Sequence, residues 1–366
     1  MTVANTRTAG AIDLPAACAD LVVHVDRELG RFVDAQRREM TREDPAAEPL
    51  FAELDRVIRS GGKRLRPLFC CLGYLAAGED VSEEAIRAAS GLELLHTFAI
   101  VHDDVMDASP TRRGAPSSWA FLAEEHRGGG YVGDPRAYGV AAAVLVGDMA
   151  LVLADRAILE SGFPDARLSP ALKRYDRMRV DVVAGQYLDV LAAHRGRASE
   201  DEARRIAVLK SGGYTVEAPV EIGAILGGAS EAILECLSRY GLALGEAFQL
   251  RDDVLGTFGD PAVTGKDRDS DLREGKRTVL LEKALGAATG DDRQLLEERV
   301  GRADLTADEL NRMRTVIERT GALEATRSLV DRLAEEAKKA LLEPSLPPGA
   351  RELLAEMADV VAVRRL

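Results

Sequence analysis

The chain has 366 residues, 46% of them hydrophobic but only 4% aromatic, and 61 acidic against 48 basic side chains leave a net charge of −13. That balance excludes nucleic acid or an anionic membrane surface as the main partner, since both are bound by net-positive faces. Abundant Ala and Leu with few aromatics favour packed helices over sheet, so an all-α protein is expected. Cys18, Cys70, Cys71 and Cys236 show no CxxC spacing, which predicts a reduced, cytoplasmic protein without a thiolate metal site.

In chain order, residues 1–15 lack an apolar signal core and read as a flexible tail, leaving 16–366 as one domain. Leu21, Val22, Val25, Leu29, Phe32 and Val33 repeat at helical spacing and predict a helix over 16–40, broken at 41–49 and followed by another over 50–59. Next comes Gly61-Gly62-Lys63-Arg64-Leu65-Arg66-Pro67. The glycines permit a bend, and Pro67 suits the first turn of a helix whose positive end, beside Lys63 and Arg66, favours phosphate.

An apolar helical run from Gly91 ends in Asp103, Asp104 and Asp107, followed closely by Arg112 and Arg113. The i,i+4 relation puts Asp103 and Asp107 on one face, where Mg²⁺ bridging to a diphosphate would relieve their repulsion. The arginines add charge-assisted donors for the same oxygens. Glu93 and His96 form the ExxH pair of a di-iron bundle, but no other histidine has a Glu three residues before it. His96 lies two turns before Asp103 and suits a phosphate contact better, while His102 reads as a polar neighbour.

Residues 127–139, rich in glycine, read as a flexible connector. The most apolar segment, 139–154, is short for a membrane span and carries Asp148, so it is expected to be a buried helix with no stable membrane insertion. Helices are predicted over 140–160, 170–193, 200–210 and 216–226, with Gly185-Gln186 inside the second and a glycine kink at Lys210-Ser211-Gly212-Gly213. A second acidic pair, Asp252 and Asp253, follows Gln249 and again closes an apolar run, over 240–250. The two acidic helix ends could face one cavity and share a small cluster of ions. The stretch 259–277 imitates a Walker loop and a calcium loop without completing either. It reads as a polar lid carrying Lys266 and Lys276. From Thr278 on, amphipathic helices are separated near 301–305 and 344–349, and Arg364-Arg365 reads as a frayed basic end.

Taken together, Gly61 to Pro67, Asp103-Asp104-Val-Met-Asp107 with Thr111 to Gly114, Gly185-Gln186, Lys210-Ser211 and Gln249-Leu-Arg-Asp252-Asp253 stand in the order and approximate spacing of the trans-isoprenyl diphosphate synthases. The chain resembles the short-chain, geranylgeranyl diphosphate branch of that family. The resemblance implies a multi-helix bundle, isopentenyl and allylic diphosphates as partners, a homodimer, and two or three Mg²⁺ ions on Asp103, Asp107 and Asp252, with Asp104 and Asp253 nearby. It assigns Lys63, Arg66, His96 and Arg113 to the isopentenyl diphosphate, and Arg112, Gln186, Lys210, Ser211, Gln249, Lys266 and Lys276 to the allylic side. It also places chain-length control at Phe98 and Ala99, about 6–7.5 Å down the helix from Asp103. One departure is Gly256, where the family has a third Asp. It keeps open a non-catalytic regulatory subunit, and a farnesyl diphosphate synthase is the other alternative. A terpene cyclase would not need the Gly61–Pro67 motif.

Overall fold

The computed structural model describes residues 14–260 and 268–362, and these are helical almost throughout. They group into two compact units, one of Ala16–Cys71 with Asp80–Leu168 and one of Leu72–Glu79 with the chain from Ser169.

In the first unit, α1 (Ala16–Glu43) buries Val25, Leu29 and Val33, an i,i+4 stripe. After α2 (Glu48–Arg59) comes α3 (Leu65–Ala76), with Pro67 in its first turn as expected. The central helix, α4 (Glu83–Met106), starts where the Ser82 hydroxyl accepts from the Ala85 N–H, with Glu83 and Glu84 complementing the helix dipole. It ends at Asp107, whose backbone N–H donates to the Asp103 carbonyl.

A feature outside the all-α expectation follows. Thr111–Arg112 (β1) and Ala115–Pro116 (β2) pair antiparallel. Arg113 (φ 53°) and Gly114 (φ 74°) turn the chain between them, and two successive positive φ values make the tight hairpin turn.

After α5 (Ser118–Gly128), α6 (Pro135–Leu159) begins earlier than the expected connector over 127–139 allows. Asp134 accepts from the Arg136 N–H at 3.0 Å and Pro135 takes the first helical position, so an Asp-Pro pair starts the helix. At 25 residues α6 is long and apolar enough to cross a membrane, so the argument from shortness fails. Nor is it buried all round. Ala143, Val146, Gly147 and Ala150 pack inward, while Tyr138, Leu145, Val152 and Leu159 are 39%, 56%, 64% and 55% exposed.

The second unit holds most of α7 (Asp165–Arg195), then α8 (Glu200–Ala207), which opens on a reciprocal Ser199–Glu202 cap. The expected kink at 210–215 is instead a widened π-helical segment, Val208–Glu217, running without interruption into α9 (Ala218–Gly227). A Cβ on Gly212 would lie 2.6 Å from the Gly245 carbonyl, and one on Gly245 would lie 2.4 Å from the Gly212 oxygen. Two backbones therefore touch here, and the wider helix keeps the segment pressed against α10 (Glu231–Phe258). Gly212→Ala should lower unfolding stability by about 1–3 kcal/mol, the usual cost of overpacking. An unchanged denaturant midpoint would contradict this contact.

The remaining helices are α11 (Ser270–Glu274), α12 (Val279–Ala287), α13 (Gly290–Arg299), α14 (Ala307–Arg319), α15 (Ala322–Ala340) and α16 (Pro348–Ala362). Breaks at 288–289 and 320–321 add to the two expected. A core of Val254, Leu272, Leu281, Met313 and Ile317 ties α11, α12 and α14 to the end of α10.

Candidate active site

The two units carry different chemistry. In the first, the turn before α3 brings basic groups toward the middle of α4. Arg113 donates to the Gly61 carbonyl. The His96 imidazole is held well below its usual pKa by desolvation and then by the guanidiniums of Arg66, Arg113, Arg112 and Arg64. Four guanidiniums gathered about one imidazole make a positively charged surrounding that suits an anion. Burial also pushes the Arg113 guanidinium down, with Arg64, Arg112 and Arg66 adding to it against Glu93. Arg64 and Arg113 both sit at positive φ, 49° and 53°. Such backbone cost collects where side chains must be aimed.

Arg64 has a role the motif does not announce. It is buried, its Nε donates to Asp26 at 2.7 Å, Nη1 to Glu93 at 2.6 Å and Nη2 to the Ile58 carbonyl at 2.7 Å. These bonds anchor the turn that presents Lys63 and Arg66. They also occupy Glu93, the acid of the ExxH pattern.

At the far end of α4, Arg112 Nε donates to Asp104 at 2.7 Å and Nη2 reaches Asp103 at 3.2 Å. The Asp104 carboxyl is pushed up to about 6 by burial, with Asp103 and Asp107 adding to it and Arg112 opposing. Phe98 and Ala99 lie partly buried on the same helix.

In the second unit, Asp252 and Asp253 lie within the last two turns of α10, and the helix runs on to Phe258 past the apolar stretch expected over 240–250. Asp253 is buried and its carboxyl is raised well above the usual range by desolvation, then by Asp271, with Asp252 and Asp189 adding to it. The Gln249 amide donates to Asp253 at 2.7 Å and opposes that shift. Lys210 donates to Asp189 at 2.6 Å. Its placement depends on Gly185, where a Cβ would lie 2.4 Å from the Lys210 nitrogen. Gln186 and Ser211 flank that crossing. Lys276 pairs with Glu274 at 2.7 Å. Lys266 lies outside the described residues, as do Arg364 and Arg365.

Gly256 has a neighbour that sequence reasoning missed. A Cβ there would lie 2.3 Å from Asp271 Oδ2. The carboxylate of Asp271, on α11, therefore stands where the side chain of a third motif acid would begin, and no spacing rule connects positions 256 and 271. Asp260, which could replace that acid only if the loop after α10 folded back, is exposed just beyond the helix. Asp189, three residues past Gln186, likewise had no role assigned from the sequence.

The donors fit a hard divalent cation. They are carboxylate oxygens, and at Asp104 and Asp253 burial and neighbouring carboxylates disfavour the ionised form, a cost that a cation would offset. Among the described residues no group of three or more His, Cys, Asp or Glu stands ready as a metal cage. Mg²⁺ takes one or two carboxylates and fills its shell with phosphate oxygens and water.

Guanidiniums gathered about one helix of the first unit, and paired acids in each unit, are groups suited to an enzyme of diphosphate chemistry. A family profile described as polyprenyl synthetase matches residues 48–317. The geranylfarnesyl diphosphate synthase of Aeropyrum pernix is 32% identical over 84% of this chain and 92% of its own. A (2E,6E)-farnesyl diphosphate synthase of Mycobacterium tuberculosis is 34% identical over 70% of this chain and 67% of its own. Among solved structures, the geranylgeranyl pyrophosphate synthase of Corynebacterium glutamicum, complexed with isoprenyl diphosphate and magnesium, has a TM-score of 0.89 at 35% identity, covering 93% of this chain and 98% of its own. The chain belongs to the polyprenyl synthetase family. It is a trans-prenyltransferase that makes a short-chain isoprenyl diphosphate with the help of a divalent metal ion.

Proposed function

We propose that the chain condenses isopentenyl diphosphate with allylic diphosphates, head-to-tail, and stops at geranylgeranyl diphosphate. The observation that carries the substrate reading is the gathering of Arg66, Arg113, Arg112 and Arg64 about His96, a concentration of positive charge that favours a diphosphate. In this reading Lys63, Arg66, His96 and Arg113 bind the isopentenyl diphosphate. Gln186, Lys210, Ser211, Gln249, Lys266 and Lys276 hold the allylic partner, with Arg112 aiding both its binding and its ionisation. Asp103, Asp107 and Asp252, with Asp104 and Asp253 beside them, would hold two or three Mg²⁺ ions, which would supply positive charge to the leaving diphosphate. Exclusion of water protects the allylic cation until the isopentenyl double bond attacks. The released diphosphate takes the proton. Residues 16–366 act as one catalytic domain.

Phe98 supports geranylgeranyl as the product, since an aromatic two residues after His96 lies along the path of a chain growing down α4. The relatives differ among themselves in prenyl length, so the product must be measured. Purified protein incubated with Mg²⁺, isopentenyl diphosphate and each of dimethylallyl, geranyl and farnesyl diphosphate should accumulate geranylgeranyl diphosphate. A farnesyl stop would keep the enzyme and move the floor toward Asp103. No condensation with any starter would leave a regulatory subunit.

The exposed face of α6 supports a homodimer and argues against a lipid contact. Tyr138, Leu145, Val152 and Leu159 recur every seven residues, the spacing of a helix seam that packs on another helix. A second copy of this chain offers the same seam. Leu145→Arg with Val152→Arg should weaken the dimer about 1000-fold, from roughly 2 kcal/mol for each of the two lost anchors. Sedimentation velocity reads this, and an unaffected dimer, or a monomeric parent protein, sinks the assignment. A cytoplasmic location follows from the cysteine pattern.

A further inference from the structure

His102 stands one turn after Phe98 on α4. Its ring lies edge-on to that of Phe98, with centroids 4.7 Å apart and planes inclined by 63°. On its other side it reaches α6. Nε2 lies 3.0 Å from the Val144 carbonyl oxygen, to which its N–H donates, and 3.6 Å from Asp148 Oδ1. Between these two positions α6 carries Gly147, and a Cβ there would lie 2.2 Å from His102 Cδ2 and 2.3 Å from Nε2. The imidazole thus fills a seat that exists only because α6 has no side chain at 147.

We propose that His102 is a positioning residue for product length: seated on Gly147 and bonded to Val144, it braces the ring of Phe98 across the path of the growing prenyl chain. The inference rests on the reading of Phe98 as the residue that limits that chain. Phe98 is an i,i+4 neighbour of His102, and helical side chains lean toward the N-terminus, so the imidazole leans onto the Phe98 ring. If the imidazole is removed, the seat above Gly147 becomes a void beside Phe98. A void lining has lost its dispersion partners, and the phenyl ring recovers them by rotating into the space. That rotation takes the ring out of the path, and longer products follow. Gly147→Ala reaches the same end differently, by pushing the imidazole off its seat.

The test compares product lengths made by the full chain and five variants from the same starter at a fixed substrate ratio. His102→Ala and Gly147→Ala should each raise the ratio of longer to parent-length product at least fivefold. His102→Phe, which keeps an aromatic edge against Phe98, should stay near the parent ratio. Phe98→Ala should lengthen the product by itself, and His102→Ala added to it should change nothing more. The Mg²⁺ concentration giving half-maximal rate should not move in His102→Ala, whereas a histidine serving only its neighbour Asp103 would shift it. Parent-length products from His102→Ala, while Phe98→Ala lengthens them, overturn the brace and leave the role of Phe98 intact. Additive lengthening in the double variant overturns it as well. Unchanged products from Phe98→Ala overturn the chain-length reading and the brace together.

Discussion

Asp103→Asn should lower the condensation rate by about 10²–10³-fold, the usual loss when one preorganised electrostatic group is removed. Two effects add. The amide is a poor ligand for a hard cation, and the pair with Arg112 Nη2 at 3.2 Å loses its charge. Arg112 keeps its 2.7 Å bond to Asp104, so the hairpin stays docked and the fold survives. The loss should therefore appear in kcat and in the Mg²⁺ requirement, with the melting temperature little changed. Chelation of metal from the parent protein should abolish turnover, and Mg²⁺ should restore it. Parent-like kcat in Asp103→Asn, with an unaltered Mg²⁺ dependence, would remove this carboxylate from the metal-holding set.

Gly256→Asp restores the acid that the family places there, yet it should impair the protein. The new Cβ would begin 2.3 Å from Asp271 Oδ2 in a buried position. Overpacking of this kind costs about 1–3 kcal/mol, and a further carboxylate beside Asp253 and Asp271 adds like-charge repulsion. Joined with Asp271→Ala, which clears the space, Gly256→Asp should recover stability and part of the activity. Asp271→Asn alone should weaken apparent Mg²⁺ affinity about 10–100-fold, as the loss of a group that orients metal ligands does. Metal titration by calorimetry, with diphosphate present, reads that shift without turnover. Higher activity from Gly256→Asp alone would show that Asp271 does not stand in for the missing acid.

Much of the site was legible because its parts are local. Asp103 and Asp107 are one helical turn apart, and Arg112 and Arg113 follow within a hairpin's length. Arg66 sits at a helix start that Pro67 announces. Helices were legible for the same reason, since apolar periodicity is a local property. The misses had other causes. The start of α6 was hidden because glycine-rich composition outweighed the Asp134-Pro135 cap. The 210–215 break proved to be a widened helix because α10 presses on it at Gly245. Asp271 was missed because it approaches Gly256 from another helix.

By itself, then, the sequence determined the helical class, the order of the motifs, and which carboxylates and guanidiniums the proposed diphosphate and metal roles draw on. All of these follow from residue type and from neighbours within a turn or two. Tertiary structure decided which groups are held and by what: Arg64 tied to Glu93 and Asp26, Lys210 to Asp189, His102 seated on Gly147, and Asp271 standing at Gly256. Each depends on the approach of a second segment, set by the packing of whole helices.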